Sequence, residues 1–166
     1  MEICFSLGSN LGDRLQYLKR GRDALAERLN AENLEQSAVY ETAPVAVAEC
    51  DREKLFLNAV VIVDTDFDCR AALAIAQSIE HDLGRVRVRV NAPRTLDIDI
   101  VYADGQRIEE DGLQVPHPRW KQREFVMRPL AELRPGIVLP GEQDCVAKLL
   151  EICGSNGSVD IFAEEW

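Results

Sequence analysis

Ile3, Phe5 and Leu7 alternate with Glu2, Cys4 and Ser6, the period of a strand with one buried face, and Gly8-Ser9-Asn10 supplies a turn after it. From Asp13, a residue suited to an N-cap, Leu15, Leu18, Leu25 and Leu29 recur at helical spacing and predict a helix to Asn30. Residues 35–42 read as a second strand that stops at Ala43-Pro44, and 45–54 as an irregular loop. Residues 56–63 are a β-branched run of strand length whose single polar interruption is Asn58, a side chain that must find a partner or a ligand there. Asp68 then caps a second helix. Its apolar stripe is Ala72, Ile75, Ala76 and Ile79, with Gln77 and Glu80 three apart on a neighbouring face and Gly84 at its end.

Residues 96–102 alternate strictly, so Leu96, Ile98 and Ile100 face the core and Asp97 and Asp99 the opposite side. Asp104-Gly105 predicts a turn into a return strand around Ile108. Val115-Pro116-His117-Pro118 is a rigid extended piece, residues 125–133 are helical, and 137–139 are short and extended. Residues 146–152 form a last helix closed near Gly154, and the tail to Trp166 adds an edge strand. Helices interleaved with strands, several joined by hairpins, predict an α+β fold with a mainly antiparallel sheet.

No linker, repeat or long charge block interrupts the 166 residues, which read as a single domain, 1–166. The start has no basic segment followed by an apolar run, so the expectation is a cytoplasmic protein with no membrane partner. A monomer is expected. Five cysteines without a CxxC pair argue against a disulfide framework and a structural zinc. A net charge of -10 argues against a general nucleic-acid surface, so any anion site must be local.

One stretch contradicts that acidic balance. Arg85, Arg87, Arg89 and Arg94 follow one another without an acidic residue, and Asp97 and Asp99 come directly after. Arginine forks match phosphate oxygens, while aspartates two apart on a strand share a face and can share a hard cation such as Mg2+. Separately, each group has a plainer reading, the arginines as an aggregation-resistant edge strand and the aspartates as a solvated face. Together, like charges at i and i+2 repel, and a divalent ion would relieve that repulsion. The alternation of residues 85–90 and the flanking Gly84 and Pro93 leave open a rigid edge strand or a segment that orders over phosphates. With no P-loop and no GxGxxG, a nucleotide would have to be held without a glycine-rich phosphate loop. His117 is either a turn residue or a phosphate donor. A DxD glycosyltransferase or nuclease, or a nucleic-acid-binding Arg-Val-Arg ribbon, would use some of these residues too.

Leu7-Gly8-Ser9-Asn10-Leu11-Gly12-Asp13, Phe56-Leu57-Asn58-Ala59, Gly84-Arg85-Val86-Arg87, Pro93-Arg94-Thr95-Leu96-Asp97-Ile98-Asp99-Ile100 and Val115-Pro116-His117, in this order, resemble the hydroxymethyl-dihydropterin pyrophosphokinases of folate biosynthesis. The resemblance runs from about residue 3 to about residue 140. It implies a ferredoxin-like fold, with ATP and the hydroxymethyl-dihydropterin as substrates and two Mg2+ ions. It makes Arg85, Arg94, Asp97 and Asp99 catalytic, the two aspartates being the metal ligands. Gln77, Glu80, Arg85, Arg87, Arg94, Ile100, His117 and Arg123 match ATP contacts. Thr42, Ala43, Val45, Phe56, Asn58, Asp97 and Phe125 match the pterin pocket. Val90-Asn91 stands where the family can carry a tryptophan, and Phe56 where it can carry a tyrosine.

Overall fold

The computed structural model describes residues 1–43, 54–85, 93–153 and 159–166. Val45, Arg87 and Arg89, the loop expected at 45–54 except its last residue, and the choice between strand and ordering segment at 86–92 lie outside the described residues.

β1 (Glu2–Ser9) forms where the alternation places it and sits inside a six-stranded antiparallel sheet. The order is β5 (Asp97–Ala103), β1, β4 (Phe56–Asp64), β3 (Val39–Thr42), β8 (Val159–Ala163), with β2 (Asn33–Gln36) also beside β4. α1 (Arg14–Arg28) starts at Asp13, whose carboxylate accepts from the Gln16 amide at 3.1 Å. α2 (Cys69–Asp82) starts at Asp68, which accepts from Ala71 at 2.8 Å. Both caps satisfy amides that the first helical turn leaves unpaired. Leu18 and Leu25 of α1 and Ala72, Ala76 and Ile79 of α2 pack against Phe5, Leu7, Val61 and Ile98. On the other face α3 (Glu124–Leu133) and α4 (Val146–Cys153) bring Val126, Met127, Leu130 and Val146 against Cys4, Val60, Ile62 and Tyr102. Each fully buried leucine or isoleucine contributes about 1.5–3 kcal/mol. Helices on both faces explain why 56–63 reads as nearly continuous apolar sequence. The β1-α1-(β2,β3)-β4-α2-β5 order, with β5 and β3 flanking β1 and β4, is the ferredoxin-like arrangement that was expected.

Three expectations change. The strand expected over 35–42 is two strands, because the register moves from Gln36 opposite Val61 to Tyr40 opposite Asn58, one residue more on one side than the other. Ser37 bridges this bulge: its amide donates to the Val60 carbonyl at 2.9 Å and its hydroxyl accepts from the Val60 amide at 3.0 Å. The return strand after Asp104 does not pair with β5. Asp104, at φ 41°, donates its amide to the Glu2 carbonyl at 2.9 Å, and Ile108 belongs to a separate hairpin of β6 (Ile108–Glu110) and β7 (Leu113–Val115). Residues 137–139 are not part of a strand. The tail does add the edge strand, β8. Cys4, Cys69 and Cys145 are free thiols. Among the described residues no helix is long and apolar enough to cross a membrane.

Tyr40, next to the β2–β3 bulge, donates its hydroxyl to Glu132 Oε2 at 3.0 Å, while Glu132 also accepts from the Ala38 amide. Burial, then the hydrogen bond and charge of Glu132, push the Tyr40 phenol up to about 12 from an ordinary 10. A raised phenol favours the protonated fold, so its contribution is complete below pH 10 and is lost as the pH climbs from 10 to about 12. In urea titrations, Tyr40→Phe is expected to flatten the fall in stability across that window by ~1.4 kcal/mol per pH unit. Parallel curves for the two proteins would mean that Tyr40 does not carry it.

Candidate active site

Asp97 and Asp99 open β5 and point to the face that α3 and α4 share, as their alternation requires, both half-buried. Two like charges on one strand face need counter-charge, and three arginines supply it. Arg85 Nη1 lies 2.6 Å from Asp97 Oδ1 and Arg94 Nη1 2.5 Å from Asp97 Oδ2. Arg123 Nη1 lies 3.1 Å from Asp99 Oδ2. These contacts are charge-assisted and partly desolvated, so salt and solvent screen them less than exposed pairs.

Local structure delivers each arginine. α2 ends in a Schellman turn: Gly84, at φ +81°, donates to the His81 carbonyl and Arg85 to the Glu80 carbonyl, both at 3.0 Å. This turn folds Arg85 back over the last turn of its own helix, where its guanidinium meets both the Glu80 carboxylate and Asp97. Arg94 is clamped from the end of β1. Asn10 Oδ1 accepts from the Arg94 amide at 2.8 Å, and the Asn10 amide donates to the Arg94 carbonyl at 3.2 Å. Arg123 occupies the N-cap of α3 without capping it by side chain, leaving its guanidinium to reach Asp99 and to lie 5.7 Å over the Phe125 ring.

Glu80 is buried beneath the aspartates. It is 3% exposed, and its Oε1 accepts from the Ile98 amide at 2.7 Å, a donor on the edge of β5 that faces away from β1. Glu80 thus ties α2 to the strand between the two aspartates, a role that spacing alone did not show. Burial raises its carboxyl to about 7, opposed by the Ile98 amide and Arg85. Gln77, one turn earlier, is exposed.

His117 reaches the site through a second bulge. Between β1 and β5 the register shifts after Phe5–Ile100, so Val101 has no ladder partner in β1 and its carbonyl accepts from the His117 amide at 2.8 Å. His117 Nδ1 accepts from the Arg119 amide at 3.1 Å, so in the neutral ring the proton is on Nε2, 3.8 Å from Asp99 Oδ2. Burial lowers its pKa, partly offset by Asp99. The same bulge breaks the strict alternation expected of 96–102: Tyr102 pairs with Cys4 and turns to the α3–α4 face.

Asp99, Ile100 and His117 share a cleft of about 410 Å³ with Leu73, Leu113, Gln114 and Pro118, a size suited to a small molecule. Leu73 and the hairpin residues were not singled out from the sequence. Leu73 lies one turn before Gln77 on α2, which was a usable signal, but the hairpin was read as a partner of β5.

On the other side of Asp97 lies Asn58. The register sets Asp97 opposite Gly8 and Gly8 opposite Asn58, one row across three strands. Asn58 is 3% exposed and donates from Nδ2 to Thr42 Oγ1 at 2.8 Å, which fixes its amide. Phe56, at the start of β4, and Phe125, in the first turn of α3, are both half-buried, and Ala43 is exposed. The site therefore offers an amide and two rings on one side of the aspartates and a cleft with His117 on the other. For a divalent ion the donor set fits: two hard carboxylate oxygens on one face, the rest of the shell left to water and phosphate.

The family model for 7,8-dihydro-6-hydroxymethylpterin-pyrophosphokinase matches residues 4–135. A 2-amino-4-hydroxy-6-hydroxymethyldihydropteridine pyrophosphokinase of Methylorubrum extorquens is 38% identical over 145 residues, covering 86% of this chain and 90% of that protein. One of Bacillus subtilis is 39% identical over 128 residues, 77% of this chain and 75% of the relative. Among solved structures, an HPPK-DHPS protein in complex with substrates superposes with a TM-score of 0.71 over 91% of this chain at 15% identity, a likeness of fold. The chain spans 43% of that longer protein. By the family model and by these two sequence relatives, the chain belongs to the 7,8-dihydro-6-hydroxymethylpterin-pyrophosphokinase family.

Proposed function

We propose that the protein transfers the pyrophosphoryl group of ATP to the hydroxymethyl oxygen of 6-hydroxymethyl-7,8-dihydropterin, leaving AMP, as a step of folate biosynthesis. The observation that carries this reading is the row Asp97–Gly8–Asn58, which puts a carboxylate and a buried amide on one sheet face. Asn58, held by Thr42, reads the donor and acceptor edge of the pterin, and Phe56 and Phe125 take its faces. The hydroxymethyl arm then extends towards Asp97, and its oxygen attacks the β-phosphorus as the bond to the α-phosphate oxygen breaks. Ile100, Leu73 and the β6–β7 hairpin enclose the nucleoside beside His117, whose Nε2 proton is available to a phosphate oxygen.

Two Mg2+ ions held by Asp97 and Asp99 would supply charge neutralisation on the polyphosphate and polarisation of the attacking hydroxyl. In the free protein the carboxylates are occupied by arginines. With Asp97 and Asp99 holding the cations, Arg85, Arg94 and Arg123 would be released from the carboxylates and could turn to phosphate oxygens. The charges are then fixed in place before the reaction, so little reorganisation accompanies the transition state. Glu80 keeps β5 and Arg85 in register throughout.

Incubation with ATP, Mg2+ and the reduced pterin is expected to release AMP stoichiometrically with the pterin diphosphate; no AMP would refute the reading. Chelation of the metal should stop turnover and added Mg2+ restore it.

Asp97→Ala and Asp99→Ala should each lower kcat on the order of a thousandfold or more with the circular dichroism spectrum unchanged, since both side chains face the site. Near-normal rates in both folded variants would remove the metal assignment.

Asn58→Ala should weaken pterin binding by about tenfold to a hundredfold, the cost of one lost edge contact in a buried site, while the affinity for an ATP analogue stays unchanged. Equal losses for both ligands in calorimetry would make Asn58 structural instead.

A further inference from the structure

The row that carries the proposed site has a gap at its centre. Asn58 and Asp97 are separated by two strand spacings, roughly 9.6 Å, and the residue between them on β1 is Gly8, opposite both. Its backbone does not demand glycine, since it is not among the residues with positive φ. A Cβ built on Gly8 would lie 3.2 Å from Asn58 Oδ1 and 4.0 Å from Phe56 Cδ1, and among the described residues nothing else comes within 4 Å. Both atoms belong to residues on the pterin side of the site. A central strand is weakened by glycine, which packs nothing and costs backbone entropy, so some other requirement keeps side-chain volume out of this position.

We propose that Gly8 is a specificity-determining residue: the pterin bicycle crosses the sheet directly over it, from Asn58 to Asp97, and only a residue without a side chain admits the ring at that depth. The inference deepens the pterin placement proposed above and rests on it. The distance fits, because two strand spacings approach the length of a bicyclic ring plus its hydroxymethyl arm. The bounding atoms fit as well: the Asn58 amide at one end is fixed by Thr42, and Asp97 at the other is held by the pairing of its strand with β1. The amide cannot retreat without giving up Thr42, nor the aspartate without breaking the ladder. A methyl group at position 8 would lift the ring off the strand, stretching its contact with Asn58 and moving its reactive oxygen away from Asp97. The nucleotide cleft, on the far side of Asp99, would not feel the change.

The test is a cycle of Gly8→Ala, Asn58→Ala and the double variant, read by kcat/KM for the pterin, by affinity for a non-hydrolysable ATP analogue with Mg2+, and by thermal midpoint. Gly8→Ala is expected to lower kcat/KM for the pterin on the order of tenfold to a hundredfold, the usual cost of overpacking a tight site, and to leave analogue affinity unchanged. A loss should persist when Gly8→Ala is added to Asn58→Ala, smaller by the part that came from stretching the Asn58 contact, because the ring itself is displaced from Asp97. If Gly8→Ala does not fold, the comparison of Asn58→Ala with the double variant decides, since the atom the new methyl would meet at 3.2 Å is then gone. A loss that disappears in the Asn58→Ala background would show that Gly8 only makes space for the amide, and would overturn the proposal, as would an unchanged kcat/KM. Normal pterin kinetics in Asn58→Ala alone would overturn the placement beneath it as well.

Discussion

Two carboxylates on adjacent same-face positions of one partly buried strand cannot be left to themselves. Asp97 and Asp99 repel each other, and the protein answers by converging three arginines from three different parts of the chain on them. Much of the rest of the site follows from that balance. The Schellman turn at Gly84, the Asn10 clamp on Arg94 and the uncapped start of α3 each serve to bring one cation within reach. A charge pair in a half-desolvated setting is costly to break one-sidedly but can be exchanged. Under the proposed function, the arginines that satisfy the aspartates here would stand beside the phosphates if a cation took the aspartates.

Irregularities in the sheet do much of the aiming. The bulge at Val101 frees a carbonyl that catches the His117 amide and ties the histidine to β5 beside Asp99. The second bulge, at Ser37–Ala38, restarts the ladder one residue later and lets Tyr40 face Asn58, with Glu132 reaching across from α3 to close the gap. Bulges commonly re-aim side chains next to functional sites. Here both lie on strands that contribute to one row or its neighbour.

Glu80 links two parts of the candidate site. Its charge is buried between α2 and β5 and accepts from a strand-edge amide and from Arg85, so it couples the position of an arginine to the position of the aspartates. The resemblance places it among nucleotide contacts, and its burial gives it a part in the frame beneath them.

Local pattern alone determined most elements, since helices capped by Asp13 and Asp68 and strands of alternating or β-branched residues obey short-range rules that neighbours rarely override. It also determined that Asp97 and Asp99 share a face, because a strand of period two leaves no other choice. The family was legible as well, through motifs spread from Leu7 to His117 whose order no single element explains. Tertiary structure alone decided which arginine serves which aspartate, that Ile108 pairs with Leu113–Val115 and not with β5, and that Glu80 is buried while Gln77 is exposed. These depend on register shifts of a single residue and on which strand edge a helix covers. The Glu80–Ile98 tie and the β1–β5 register join segments some twenty to a hundred residues apart, and even the short-range choices depend on which strand edge those contacts leave open.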